Sequence, residues 1–318
     1  MLKRFAEVNS RPHYVNSKTT TQDDKEDVPH EEYQYLNLIN DIITTNQVEE
    51  GRNGMTLSIF GGGMVFSLEK GQIPILTTKQ LAWKTCLKEL LWFIRGNTNN
   101  ALLQNVGVHI WDDNASRDFL ETRGLHNYCV GDLGPIYGHQ WRHFNAKYSN
   151  CYADYSGQGI DQLANIIKCL KDPAERNSRR LIMSAWNPCQ LDEMALPPCH
   201  ILAQFNVSNT NRLSCALYQR SGDVGLGVPF NIASYSFLTH LLATHCGLIA
   251  HEFVYHLGNA HIYDDHVDVL KQQLELTPYA FPRLEILSRK DNINAYELED
   301  FRLLDYKNHP SLKMKMRK

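Results

Sequence analysis

Two spacings of hydrophobic residues along the chain predict a mixture of helices and strands. Tyr35, Leu36, Ile39 and Ile42 recur every three or four residues, as on one face of an amphipathic helix. A longer apolar run ends just before Gly96, a residue typical of a helix C-terminus. The same spacing predicts helices over residues 81–94, 162–170 and 231–245.

Shorter apolar segments predict strands between these helices. Residues 56–60 and 64–68 predict two strands joined by a bend at the glycines 61–63. Further strands are predicted over residues 180–186, 200–207 and 213–219, and the final hundred residues predict a mixture of strand and loop. There is no internal repeat and no clear linker after residue 32, so the pattern favours a single mixed α/β domain.

The first thirty residues differ from the rest. The segment Ser17–Asp27 is polar and has no hydrophobic period, which predicts a disordered extension over residues 1–30, followed by one folded domain over residues 31–318. A mitochondrial presequence is the less favoured alternative, because Glu7 and the acidic run depart from the acid-poor composition of such segments.

Composition narrows the classes of protein that the chain can belong to. The formal net charge is -3, so anion binding has to come from local arginines and not from a general basic surface. The eight cysteines form no Cys-x-x-Cys pair, and no secretory segment precedes them. We therefore expect reduced thiols and a cytoplasmic protein. No apolar run approaches the ~18 residues of a membrane span, and no His or Cys spacing predicts a metal site.

One segment concentrates the candidate chemistry. Cys199 follows Pro197-Pro198 and precedes a predicted strand, so a rigid backbone could aim it as a nucleophile. The alternative is a buried structural thiol, the usual role of a single cysteine. Arg220, Ser221 and Gly222 offer two guanidinium donors, a hydroxyl and close backbone approach, which suit a phosphate. A surface salt bridge is the alternative for the arginine.

Two further polar residues have competing interpretations. The side-chain amide of Asn231 complements the N3–H and O4 edge of uracil, but the position also suits an N-cap. Glu89 lies in an apolar helix, where burial would raise its pKa and allow proton transfer; the alternative is that it faces solvent. Trp111 and Phe230 could stack on a flat heterocycle or simply pack in the core. His261 and Tyr263 lie on one face of an extended segment.

Long matches in chain order make the sequence similar to the thymidylate synthase family from about residue 32 to the end. They include Glu-Leu-Leu-Trp-Phe-Ile at 89–94 and Gly-Asp-Leu-Gly-Pro-Ile-Tyr-Gly at 131–138. Other matching segments are residues 74–79, 140–144, 154–163 and 199–231.

This resemblance implies an α/β fold with a large mixed sheet flanked by helices, and a homodimer formed sheet against sheet. It implies dUMP and 5,10-methylenetetrahydrofolate as substrates, dTMP and dihydrofolate as products, and no metal. Cys199 would add to C6 of the uracil ring and make C5 nucleophilic towards the one-carbon unit. A base would then remove the C5 proton, and the folate would supply the hydride that completes the methyl group.

The resemblance also assigns roles to matching positions. Catalysis would use Cys199, Glu89, Tyr137, Asn231 and Asp223. The nucleotide would be bound by Arg52, Arg220, Ser221, His200, Gln219, Asp223, Asn231, His261 and Tyr263, joined by Arg179 and Arg180 of the second subunit. The folate site would contain Ile110, Trp111, Asn114, Asp223, Leu226, Gly227, Phe230, Lys313 and Met316.

Three departures from the family pattern leave alternatives open. The loop of Arg52 is one residue shorter than Arg-Thr-Gly-Thr-Gly-Thr, Asn259 replaces the usual aspartate, and the C-terminus is basic instead of apolar. One alternative is a nucleotide hydroxymethylase, against which Asn231 and Trp111 argue. Another is a weak homologue that binds nucleotide or RNA. Weak RNA binding and a nuclear or mitochondrial pool stay open.

Overall fold

The computed structural model describes residues 29–45, 47–51 and 53–317. Most of the predicted N-terminal extension and Arg52 lie outside these residues. The helices within them are α1 (Tyr33–Thr45), α2 (Trp83–Ile94), α3 (Asn100–Gln104), α4 (Arg117–Thr122), α5 (Tyr137–His143), α6 (Gln162–Lys171), α7 (Gly227–Cys246) and α8 (Val267–Leu274). The strands are β1 (Val48–Gly51), β2 (Gly54–Ser67), β3 (Ile182–Ser184), β4 (His200–Val207), β5 (Arg212–Asp223), β6 (Ile249–Tyr263), β7 (Arg283–Ile286) and β8 (Phe301–Leu304).

Six strands form one mixed sheet, which confirms the predicted fold class. Their order is β1-β2-β6-β5-β4-β3, and β7 and β8 form a separate antiparallel pair. Strands β5 and β6 are parallel, while the other neighbours in the large sheet are antiparallel. Parallel neighbours need a long crossover, and α7 supplies it between β5 and β6. This crossover places the end of β5 and the start of α7 at one edge of the sheet.

Three predictions about elements were wrong. Residues 54–67 form one continuous strand, because both halves pair with β6 in the same register and Gly61 takes a φ of 89° without turning the chain. Helix α7 begins at Gly227, four residues before the predicted start. Helix α8 lies where strand and loop were predicted, because two turns give too short a periodic pattern to recognise.

The core is built around α7, which packs on β5, β6 and α2. Its side chains are buried on nearly every side, from Val228 to Cys246, so apolar residues recur all round the helix and not on one face. No helix in the described ranges is both long and apolar enough to span a membrane.

A buried carboxylate fixes the segment that lies beneath the site. Glu32 is fully buried and accepts hydrogen bonds from the backbone N–H and hydroxyl groups of Thr77 and Thr78, at 2.6 to 3.1 Å. Such bonds offset the cost of burying the charge. The next residue, Lys79, is buried too, and its Nζ donates to the Gly225 carbonyl at 2.5 Å. Glu32 and the segment it holds, residues 77–79, thus support the loop between β5 and α7.

Candidate active site

Cys199 is held by backbone hydrogen bonds on both sides. Its N–H donates to the Tyr137 hydroxyl at 2.8 Å, and its carbonyl accepts from the Arg220 N–H at 2.8 Å. The residue lies directly before β4, is half-buried and forms no disulfide. The backbone of the candidate nucleophile is therefore fixed by a helix residue and by the neighbouring strand β5.

The Arg220 side chain fixes the two prolines before this cysteine. Its Nε donates to the Pro198 carbonyl at 2.8 Å and its Nη2 to the Pro197 carbonyl at 3.1 Å. The guanidinium also lies over the Trp186 ring, 5.5 Å from the centroid. Arginine has five N–H donors, so these two bonds leave donors for an anion.

Glu89 is positioned for proton transfer. Trp111 Nε1 donates to Glu89 Oε1 at 2.7 Å. The bond joins α2, which contains Glu89, to the loop between α3 and α4, which contains Trp111. Burial raises the pKa of Glu89 to about 7, and the Trp111 hydrogen bond opposes part of this rise. The Glu89 side chain is only partly exposed and is bonded to Trp111, which favours the proton-transfer interpretation over the solvent-facing one. A carboxyl that titrates near neutral pH can both accept and donate a proton.

Tyr137 connects the cysteine to this carboxyl. Its ring stacks on His200 at 4.0 Å and meets Trp111 edge-on at 6.2 Å. Burial, and then the proximity of Cys199, raise the pKa of Tyr137 well above its ordinary value. The hydroxyl therefore keeps its proton, which it can donate while its oxygen accepts from the Cys199 N–H.

His200 is adjacent to Cys199 in sequence, but its side chain is buried beside Tyr137 and Tyr235. Its Nδ1 lies 2.8 Å from the Tyr235 hydroxyl, and burial lowers the pKa of the ring to about 3. The imidazole is neutral at physiological pH and supplies no positive charge beside the thiol.

Parallel pairing of β5 and β6 gathers the candidate nucleotide-binding residues. Ser221 is in register with Asn259, and Asp223 with His261. Asn259 Oδ1 lies 3.0 Å from His261 Nδ1, so the residue that departs from the family pattern orients this histidine. Tyr263 lies two residues further on the same face, with its ring 5.3 Å from that of His261.

The buried Gln219 side chain connects Ser221 of β5 to Tyr255 of β6. Its Nε2 donates to the Ser221 carbonyl at 2.9 Å, and its Oε1 accepts from the Tyr255 hydroxyl at 2.6 Å. Both ends of the amide are occupied, so Gln219 fixes the backbone at the end of β5.

Asn231 lies inside α7 and not at its cap. The N-cap is Leu226, and Asp223 Oδ1 accepts from the N–H groups of Gly225 and Leu226 at 2.9 and 3.2 Å. The N-cap interpretation of Asn231 is therefore wrong. A Cβ added at Gly227 would lie 3.8 Å from Asp223 Cβ and 4.0 Å from Asn231 Oδ1. The helix start thus brings Asp223, Gly227 and Asn231 together.

The candidate folate residues adjoin Glu89. Trp111 bonds Glu89 directly, and Cys86, one turn earlier in α2, donates through Sγ to the Phe230 carbonyl at 3.3 Å. Helix α2 therefore contacts both the 110–114 loop and α7. Four further members of the set are only partly buried and leave surface for a ligand: Ile110, Asn114, Leu226 and Phe230.

The C-terminal tail packs against the same edge of the sheet. The Lys315 carbonyl lies 2.8 Å from His266 Nε2, and the Arg317 guanidinium pairs with Asp264 and Asp265 at 2.9 and 3.0 Å. Met316, between these two anchors, and Lys313, just before them, are exposed. The basic ending is therefore bound by an acidic pair at the end of β6.

Two candidate residues lie away from this cluster. Arg179 and Arg180 are exposed and precede β3, one of the two edge strands of the large sheet. Arg52 lies outside the described residues.

Sequence reasoning assigned no role to Lys79, Trp186 or Tyr255, which support Gly225, Arg220 and Gln219. Lys79 lay in a segment that matched the family, which was the only signal for it.

Comparisons with known proteins identify the family to which the chain is similar. The family model described as thymidylate synthase matches residues 33–318. The chain is 52% identical over 289 residues to the bifunctional dihydrofolate reductase-thymidylate synthase of Leishmania major, covering 90% of this chain and 55% of that protein. It is 51% identical over 291 residues to the thymidylate synthase of Human herpesvirus 8 type P (isolate GK18), covering 91% and 85%. The chain spans about half the length of the bifunctional relatives it matches.

The raised pKa of Glu89 predicts a pH-dependent cost of folding. The folded carboxyl titrates near 7 and the unfolded one near 4.5, so its contribution to stability is complete below about pH 4.5 and falls as pH rises through 7. Glu89→Gln cannot ionise. We expect its free energy of unfolding, relative to that of the parent chain, to rise by about 3 kcal/mol between pH 4 and pH 8, measured by urea denaturation.

Trp111→Phe is the companion variant for this test. It removes the hydrogen bond that lowers the folded-state pKa of Glu89, so the fall in stability should begin at the same pH, near 4.5, but continue to higher pH and become larger. A stability gap between Glu89→Gln and the parent chain that stays constant with pH would contradict the burial of an ionisable carboxyl.

Proposed function

The chain belongs to the thymidylate synthase family, and on this basis we propose that it converts dUMP to dTMP with 5,10-methylenetetrahydrofolate. The observation that supports this most is the fixed Cys199 backbone bonded to Tyr137, whose ring meets that of Trp111, which in turn donates to Glu89. Burial raises the pKa of Glu89 to about 7. Reductive methylation needs a nucleophile and a group that moves protons near neutral pH.

Cys199 starts the reaction as a thiolate that adds to C6 of the uracil ring. The new C–S bond pushes an electron pair towards C5 and O4, which makes C5 nucleophilic. The Asn231 amide faces the N3–H and O4 edge, where its N–H stabilises the developing charge on O4 and its oxygen accepts from N3–H. Cytosine presents the opposite donor and acceptor at these positions, so Asn231 selects uracil.

Glu89 and Tyr137 manage the protons at the ring. Glu89 relays a proton to and from O4 through water, because its carboxyl titrates near the working pH. Tyr137 keeps its proton and donates towards the group that accepts the C5 proton. Once C5 carries the methyl group, the C6–S bond breaks and the electron pair returns to Cys199.

The remaining polar groups hold the nucleotide. Arg220 and Ser221 bind the phosphate with donors that the Pro197 and Pro198 carbonyls do not use. His261 and Tyr263 bind the ribose hydroxyl from the end of β6, next to Asp223.

The folate site joins apolar surface to a few polar groups. The partly buried Ile110, Leu226 and Phe230, with Trp111, suit a flat heterocycle, while Asn114 and Asp223 offer hydrogen bonds to its edge. When bound there, methylenetetrahydrofolate supplies both the one-carbon unit and the hydride. Trp111, anchored by Glu89, keeps water away from the reacting carbon, which favours reduction over hydroxymethylation.

We further propose a homodimer joined through the face of the sheet that α7 leaves uncovered. Ile182, Leu202 and Tyr218 lie on that face and are 42%, 36% and 39% exposed. An apolar sheet face of this kind suits a second copy of the chain. Arg179 and Arg180, exposed just before β3, then reach the phosphate of the other subunit.

A cytoplasmic location is also part of the proposal, with nuclear or mitochondrial pools compatible with it. All eight cysteines lie in the described part of the chain, and each is a free thiol. The net charge of -3 gives no support to RNA binding as a main activity.

The activity is tested with purified chain, dUMP tritiated at C5, and methylenetetrahydrofolate. We expect equal amounts of released tritium and of dihydrofolate, the latter followed by its near-ultraviolet absorbance. Cys199→Ser should lose both signals by at least about a thousandfold and still bind dUMP. Cys189→Ser, at an exposed cysteine outside the site, should keep both.

Other outcomes separate the alternatives. Tritium release without dihydrofolate would identify a hydroxymethylase. Loss of both signals in the parent chain would leave a homologue that only binds its ligands, and full activity of Cys199→Ser would remove the nucleophile.

The shared site predicts complementation between two inactive variants. Cys199→Ser carries intact arginines, and the double variant Arg179→Ala with Arg180→Ala carries an intact cysteine. In co-expressed random dimers, roughly a quarter of the sites combine the intact parts, so about a quarter of the parent activity should return. If the arginines serve their own subunit, no site is complete and activity stays at the level of the separate variants.

A further inference from the structure

A second cluster of reactive side chains lies among residues to which neither the sequence nor the family assigns a role. A sulfur atom of Cys129, a sulfur atom of Cys151 and a carboxylate oxygen of Asp132 lie within 4.8 Å of one another. Cys129 is exposed, Cys151 is half-buried and Asp132 is fully buried. Two thiols therefore stand at the surface, above a carboxylate that cannot move away.

The carboxylate is held in place before any ligand arrives. Asp132 Oδ1 accepts from the Tyr148 hydroxyl at 2.6 Å and from the Gly134 N–H at 3.0 Å. Oδ2 accepts from the Cys151 N–H at 3.1 Å. A carboxylate oxygen can accept two bonds, so in the described part of the chain Oδ2 keeps capacity for one more partner.

We propose that Cys129, Cys151 and Asp132 bind one thiophilic divalent cation of the zinc class, with water as the fourth ligand. Two thiolates and one carboxylate form a donor set that zinc accepts and that magnesium or calcium does not favour. With metal–sulfur bonds of about 2.3 Å, ligand atoms in a tetrahedral site lie roughly 3.5–3.8 Å apart. The three ligand atoms lie within 4.8 Å of one another, so a contraction of at most about 1 Å closes the site. Each thiol releases its proton when the cation binds.

The cation would connect two loops that precede and follow α5. Residues 129–132 are bonded to the α3 region through the Gly131 carbonyl and the Asn100 N–H, at 2.8 Å, and lead towards Tyr137. Cys151 lies in the turn beyond α5. A cation that binds only the folded chain stabilises that chain by mass action. This effect can be measured without substrate, so the proposal can be tested separately from the proposed activity.

Cadmium and zinc titrations of the full-length chain test the site. The protein is stripped of metal and kept reduced with a phosphine. Cadmium binding is followed by sulfur-to-metal charge-transfer absorbance, and zinc affinity by competition with a chromophoric chelator. We expect one tight equivalent per chain, and at least about a tenfold loss of affinity in Cys129→Ser and in Cys151→Ser. Cys189→Ser and Cys199→Ser should keep the equivalent.

Thermal unfolding provides a second readout that does not depend on the spectra. Zinc should raise the Tm of the parent chain and of Cys189→Ser, but not that of Cys129→Ser. Because Cys129 is exposed, its replacement by serine should leave the fold intact, and the missing rise in Tm then reports the lost ligand. Equal cadmium binding by the parent chain and Cys129→Ser would overturn the proposal. So would a reduced chain that binds no cation while the untreated chain shows a Cys129–Cys151 disulfide.

Discussion

The candidate site depends on the interaction of Arg220 with the carbonyl groups that precede Cys199. A thiolate that attacks a ring carbon has to be placed to within a fraction of an ångström, because a small misplacement costs much of the rate. Two proline carbonyls accept from the Arg220 side chain, and the Cys199 carbonyl accepts from its N–H. The register between β4 and β5 therefore sets the position of the nucleophile.

The crossover through α7 explains why the other groups meet at the same place. Because β5 and β6 are parallel, the end of β5, the start of α7 and the end of β6 lie at one edge of the sheet. Asp223 fixes the turn into α7, and Lys79 supports that turn from below through Gly225. The buried carboxyl group of Glu32 holds the segment that carries Lys79, and Tyr35 of α1 donates to the Val224 carbonyl in the same turn, so the first helix region supports the site from below.

Local patterns predicted the parts of this arrangement that local forces determine. The strand from His200 to Val207 and the helix after Leu81 followed from their periodicity, and the possible burial of Glu89 followed from its apolar neighbours. The start of α7 was missed, because Asp223 of β5 fixes the turn before the helix and the N-cap residue, Leu226, gives no cap signal. The pairing of Arg220 with Pro197 and Pro198 depends on strand register, which a single sequence does not encode visibly.

The most direct test of this account is mass spectrometry of the chain after incubation with 5-fluoro-dUMP and methylenetetrahydrofolate. Fluorine at C5 cannot leave as a proton does, so the adduct formed by the nucleophile should persist. The account predicts one nucleotide per site, attached to the peptide that contains Cys199, and no attachment in Cys199→Ser. Attachment at another cysteine, or no adduct in a chain that binds the nucleotide, would contradict it.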